Sequence, residues 1–223
     1  CWQPVKRQRL PRVQDRAWPL QPLDNFILHQ LDKNGLSPAA PADRRSLIRR
    51  AYFDLLGLPP TPAAVEAFAS SEDPSAFAAV VDQLLESPHF GERWGRHWLD
   101  VVRFAESITL RGFLFPEAWR YRDYVIQTLN DDRSLGRFVQ EQVAGDLLPA
   151  TSVHQRQQNV VATTFLALGN NNLEDQDKAK LRMDVVDEQL ETISRAFLAQ
   201  TVGCARCHDH KFDPIPTLSL IHI

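Results

Sequence analysis

The sequence holds three cysteines and one methionine among 223 residues. Three thiols cannot frame a disulfide-stapled fold, and a chain of this length can bury enough apolar surface to stand without staples. An excess of one charge is missing as well, because 25 Lys and Arg nearly balance 28 Asp and Glu. That balance gives no general attraction to phosphate, and the basic run from Lys6 to Arg16 is a short solvated segment, so nucleic acid is not an expected partner. No stretch reaches the roughly 20 apolar residues that a membrane-crossing helix needs. The best one, Leu147 to Leu168, is broken by Pro149, His154, Gln155 and Arg156. There is no internal repeat, no low-complexity tract and no glycine-rich phosphate loop. With 43% hydrophobic and 24% charged residues, the composition is that of an ordinary globular protein. The chain opens on Cys1 without a charged-then-apolar leader, so its true start is expected to be missing or processed.

Alternation of apolar and polar residues, the mark of a half-buried strand, is also absent, whereas helical spacing recurs throughout. The pattern predicts an all-α fold, a single irregular domain of about eight helices over residues 22–216, after a Pro-rich lead-in at 1–21. Leu23 to Asn34 ends at Gly35, which accepts a left-handed terminating conformation. Asp43 caps a second helix that Gly57 and Pro59 end. Thr61-Pro62, Asp73-Pro74 and Ser87-Pro88 each read as a cap followed by proline at the first helical position. After Ser87, Trp94, Trp98, Val101 and Val102 fall on one face, expected to be core. Further helices are expected at Glu117–Leu129, Leu135–Ala144, Val153–Leu168 and about Lys178–Gln200. The apolar segment from Ser107 to Pro116 is expected to pack on the core or face a partner.

Chemistry concentrates just after the last helix, in Cys204-Ala-Arg-Cys207-His208. Two thiols three residues apart can bond to the two vinyl groups of one haem, which leaves the next side chain beside the iron, so this C-x-x-C-H run points to covalent haem c with His208 as axial ligand. Two rivals stay open. Cys204, Cys207, His208 and His210 are all acceptable zinc ligands, although a structural zinc site ordinarily takes its second pair from a distant element. A redox or structural disulfide between Cys204 and Cys207 is the other, although such motifs belong to a βαβ setting. Asp209, Lys211 and Asp213 are placed to orient His208 or contact a haem propionate, with His210 as a further supporting candidate, or else they form a polar turn closed by Pro214.

A second axial ligand is harder to find. On a continuous helix Met183 would lie about 25 Å from the haem end. His210 is too close in sequence to reach the opposite haem face, and His89 and His97 could do so only through the fold. The Asp43, Arg44, Arg45, Arg49 and Arg50 cluster reads as a charged helix face. Glu92, Arg93, His97, Asp100 and Arg103 read as a salt-bridge network rather than an acid and base pair. No nucleophile constellation is present, so an enzymatic role stays open and an electron-transfer or accessory domain is the expectation.

Thr201 to Pro216, with its C-x-x-C-H-D-H-K-F-D-P-I run, resembles the signature of the planctomycete cytochrome C family, second domain, long catalogued as a domain of unknown function. Ala42–Arg50, Phe53–Pro62, His89–Trp94 with His97–Asp100, and Tyr121–Tyr124 resemble it in order and spacing. The resemblance implies a haem-bearing domain for electron transfer or redox sensing, set among other domains of a larger exported protein, periplasmic or at the cell surface, with an unidentified redox partner. Its alternative is a zinc-binding or structural domain of an exported degradative enzyme. Residues 217–223 depart from the pattern and read as a foreign or truncated tail, so His222 earns no role.

Overall fold

A computed structural model of the chain describes residues 3–107, 114–169, 172 and 175–217. Among these the only β pairing is an isolated antiparallel bridge between Ser107 and Leu114. The rest is helix and connecting chain, as the periodicity predicts. The described residues divide into two compact units, 1–47 and 48–223.

In the first unit, α1 (Pro22–Lys33) opens with a capping box in which the Gln21 and Asp24 side chains satisfy each other's backbone. It stops at Gly35, whose φ of +66° lies in the left-handed region. The lead-in is tied to it, since Gln14 N–H donates to the Asp32 carboxylate at 3.0 Å. The division falls inside α2 (Arg44–Leu56), which Asp43 caps by accepting from Ser46 N–H at 3.0 Å.

The second unit continues with α3 (Pro62–Ser70), α4 (Ala76–Leu85), α5 (Pro88–Val101), α6 (Ala118–Asn130), α7 (Leu135–Ala144), α8 (Val153–Ala162) and α9 (Lys178–Ile193). Thr61 and Ser87 act as the caps their sequence suggests, each accepting from a first-turn backbone N–H. Asp73 does not, because it spends its carboxylate on Ser75, and α4 begins at Ala76. The expected helix over 153–168 is shorter too: Thr163 turns its hydroxyl onto the Val160 carbonyl and the chain tightens into a 3₁₀ turn at Thr163–Leu166. Most of the segment expected to pack or dock, residues 108–113, lies outside the described residues.

The core forms where α5, α6, α7 and the turn after α8 meet. Val102, Tyr121, Tyr124, Val125, Phe138, Ala162, Phe165 and Leu168 are buried there, with Trp98, Phe104 and Phe197 packed against them. Trp98 is the hub: its ring lies 4.9 Å from Phe138, edge-on, and 5.7 Å from Phe197. Its indole N–H donates to the Tyr121 hydroxyl at 3.0 Å, which in turn donates to Gln142 at 2.6 Å. Buried aromatics with polar tips need such partners. The expected α5 core face is half right. Trp98 and Val102 go inward, but Trp94 and Val101 stay 41% and 42% exposed because the neighbouring helix covers only part of that stripe. The expected salt-bridge network also dissolves: Glu92 pairs with His89, Asp100 with Arg96, and Arg103 leaves α5 altogether.

Two features of this core are directly testable. α5 and α6 approach so closely that a Cβ on Gly91 would sit 2.4 Å from the Ile126 carbonyl, whereas one on Gly136 of α7 would meet nothing within 4 Å. Gly91→Ala is expected to cost about 2–3 kcal/mol in urea unfolding, and Gly136→Ala to cost nothing or gain up to about 1 kcal/mol. The second concerns Glu141, almost fully buried on α7, which accepts from Tyr124 at 2.7 Å, Arg133 at 2.7 Å and Arg137 at 2.7 Å. Burial pushes its carboxyl up, but these donors outweigh burial and hold it below the ordinary carboxylate range. A depressed acid stabilises the fold above its unfolded value of about 4.3 and loses that contribution as pH falls through the folded value. Glu141→Gln is therefore expected to lose about 3 kcal/mol at neutral pH and to show a flatter decline than the parent below about pH 4.5, read by denaturant unfolding across pH.

Candidate functional site

The chemistry-bearing turn hangs from α9, and α9 ends differently from the continuous helix expected to Gln200. After Ile193 the chain widens into a π turn at Ser194–Leu198, and Ala199 takes a left-handed conformation with φ of +53°. Ile193 and Phe197 pack on the core at this point. The chain then doubles back along α9 as a 3₁₀ turn at Val202–Arg206. Three contacts hold it there. Gly203 N–H donates to the Glu191 carboxylate at 2.6 Å, and Arg206 reaches Asp184 at 2.6 Å and Asp187 at 2.7 Å. Lys180 and Arg206 together hold the Asp184 carboxyl below its usual range.

This reversal corrects the placement of Met183. A straight helix would carry it far from the motif, but Arg206, between the two cysteines, bonds the residue next to Met183. Asp184, Asp187 and Glu191 are the residues that sequence reading missed. Their spacing of three and four places them on one stripe of α9, and Arg206 and Gly203 are what they hold.

Anchoring decides which side of the turn faces out. Val202 and Ala205 are buried and Arg206 lies against α9, while Cys204, Cys207 and His208 are exposed. Both thiols are free. Cys207 and His208 N–H both point to the Cys204 carbonyl, at 3.3 and 3.4 Å, so the three functional groups share one tight turn. His208 Nδ1 lies 2.8 Å from the Asp209 carbonyl. A carbonyl can only accept, so Nδ1 carries a proton, and in the neutral ring the lone pair lies on Nε2, with no partner among the described residues.

His210, two residues on, is arranged in the opposite sense. Its side chain is 7% exposed. Its Nδ1 accepts from the N–H groups of Asp213 at 2.9 Å and Phe212 at 3.3 Å, so the proton sits on Nε2, which faces the Thr201 hydroxyl at 3.4 Å. Both ring nitrogens are thereby used in shaping the loop. The Asp209 carboxylate accepts from Thr217 N–H at 2.9 Å and closes the same loop. Lys211 lies over the Phe212 ring, 5.1 Å from its centre. Of the supporting candidates, Asp209 alone touches His208, and it does so through its backbone. Among the described residues, no three His, Cys, Asp or Glu are grouped to hold a metal ion.

Fold and site together define an all-helical protein that presents two free thiols and one imidazole on an outward-facing turn. The family model for PSCyt2, described as a protein of unknown function (DUF1549), matches residues 22–220, and the chain belongs to that family. No curated protein and no solved structure matches it.

If His210 is the pin of this loop, His210→Phe keeps its bulk and removes the acceptor. The orphaned donors are expected to cost about 1–3 kcal/mol locally. The readout is amide hydrogen exchange, which should accelerate at Phe212 and Asp213 while the α5–α6 amides stay protected.

Proposed function

We propose that Cys204 and Cys207 attach a c-type haem with His208 as its axial ligand, and that the chain carries electrons or senses redox state within a larger exported protein. The observation that carries this reading is the state of His208. Its Nδ1–H is spent on the Asp209 carbonyl, which fixes the ring and leaves Nε2 as the donor atom, on the same turn as two free, exposed thiols. Haem c supplies one-electron chemistry at iron, with a potential set by its axial ligands, burial and hydrogen bonds.

The chain's own part is positional. Cys204 and Cys207 offer sulfur on one side of a turn whose other side is fastened to α9 by Arg206 and Gly203. Covalent attachment then requires no opening of the core. Phe212 and Leu198, 79% and 59% exposed, add uncovered apolar surface on either side of the turn in sequence, suited to an apolar macrocycle. Haem attachment through thioethers takes place on the exported side of the membrane, which is where this reading puts the chain. Family membership brings no activity to the argument, since the family's function is itself unknown.

The test is coexpression with a cytochrome c maturation system in an exported compartment, followed by a pyridine haemochrome spectrum. A c-type band that survives acid acetone extraction is expected, absent in Cys204→Ser/Cys207→Ser, while the spectrum of the native reduced protein, taken without pyridine, is expected to shift in His208→Ala. A colourless chain with stoichiometric zinc, or with a Cys204–Cys207 disulfide, would overturn the proposal.

A further inference from the structure

A groove of about 640 Å³ runs between α6 and α8, built from residues that take no part in the Cys204–His208 turn. Trp119, Asp123 and Gln127 line it from α6, and Arg156, Gln157 and Val160 from α8. From Trp119 to Gln127 it follows the helix for about 12 Å, the proportions of a short linear ligand rather than a compact one.

Its surface combines two features that water alone does not favour together. Trp119 and Val160 remain 41% and 46% exposed inside a concavity. The Arg120 guanidinium lies over the Trp119 ring at 4.9 Å, and the residue still keeps 41% of its surface exposed. Around this flat apolar spot stand planar groups with unused bonding capacity. Arg122 engages only one oxygen of Asp123, at 2.9 Å, leaving Oδ2 as an acceptor. Gln127 gives its amide N–H to Asp131 at 2.6 Å and keeps its carbonyl. The cations of the groove are unequal. Arg120 is paired with Glu117, and Arg133 with Glu141, but Arg156 bonds only the backbone carbonyl of Asp146 and meets no carboxylate among the described residues.

We propose that this groove binds an oligosaccharide, with a pyranose ring against the exposed part of Trp119 and an acidic substituent on Arg156. A pyranose has a flat C–H face that suits an indole and a rim of hydroxyls that both donate and accept, which is what carboxylate and amide side chains satisfy. One leftover guanidinium suits a single carboxylate or sulfate. A nucleotide would instead call for a backbone cradle around its phosphates. The inference is independent of whether haem is attached.

The test uses the whole chain titrated by calorimetry, at low salt, with a neutral β-linked glucose tetramer, a galacturonic acid tetramer and a singly sulfated glucose tetramer. All three are expected to bind, with at least one acidic probe about ten-fold tighter than the neutral one. Trp119→Ala is expected to weaken every probe about ten-fold. Trp94→Ala, which removes an equally exposed indole on α5, should change nothing. Arg156→Gln should abolish the acidic preference and leave neutral binding in place. Which acidic probe is preferred tells carboxylate from sulfate. Absence of binding by all three, or equal weakening by Trp94→Ala and Trp119→Ala, would overturn the site; an acidic preference that survives Arg156→Gln would overturn the role of Arg156.

Discussion

Everything about the outward-facing turn depends on where α9 is held, and α9 is held by Arg103. This residue closes α5 in a left-handed conformation, φ +57°, which for a residue with a side chain costs about 1–2 kcal/mol. The conformation sends the guanidinium across to α9, where it meets Glu188 and the Thr192 hydroxyl, and to the Leu168 carbonyl at 3.4 Å. Three parts of the second unit, the end of α5, the chain after α8 and the body of α9, therefore meet on one side chain, and Gln189 adds a second tie from α9 to the Leu166 carbonyl at 3.1 Å. Gly169 accommodates them: its φ is +133°, and a Cβ there would lie 3.2 Å from Glu188 and 3.4 Å from Arg103. Sequence reading placed Arg103 in a network with its own helix, because a helical net assumes that the helix continues. The helix stops one residue pair earlier, and the charge goes elsewhere.

Local signals were legible and distant ones were not. Thr61, Ser87 and Asp43 act within three residues of themselves, so their capping roles could be read directly. Gly35 and Gly57 mark helix ends for the same reason, both with positive φ. The C-x-x-C-H run could be picked out as five consecutive residues, but its outward-facing setting could not. What failed was the competition for partners, most of it set far along the chain. Asp73 looked like Thr61 in sequence but found Ser75 closer, and Trp94 had the same periodicity as Trp98 but no neighbour to cover it. The π turn after Ile193 has no local cause in composition. It arises where Phe197 must reach the Trp98 cluster while Ala199 reverses the chain.

That reversal changes what the motif is. At the end of a straight helix, Cys204 to His208 would be a tail whose geometry is set by whatever packs on it. Doubled back along α9, it is a short second layer with two sides of different character. Of the two residues between the cysteines, Ala205 is buried and Arg206 is charge-paired to α9, while both thiols stay exposed. Alternation along a tight turn, rather than a pocket, is what makes the sulfurs and the imidazole accessible together.

The two histidines that follow show how a few hydrogen bonds separate two rings that a zinc reading of the sequence would treat alike. His208 and His210 are separated by one residue and were both candidates for a metal. Asp209 gives the first a carbonyl and so fixes its proton on Nδ1. The turn at Phe212 and Asp213 gives the second two N–H donors and so fixes its proton on Nε2. One ring therefore ends with a free lone pair in solvent and the other with none. Since the loop that His210 pins is the same one whose Asp209 carbonyl orients His208, the buried imidazole acts on the exposed one without touching it, and the two rings are coupled through a single residue of backbone.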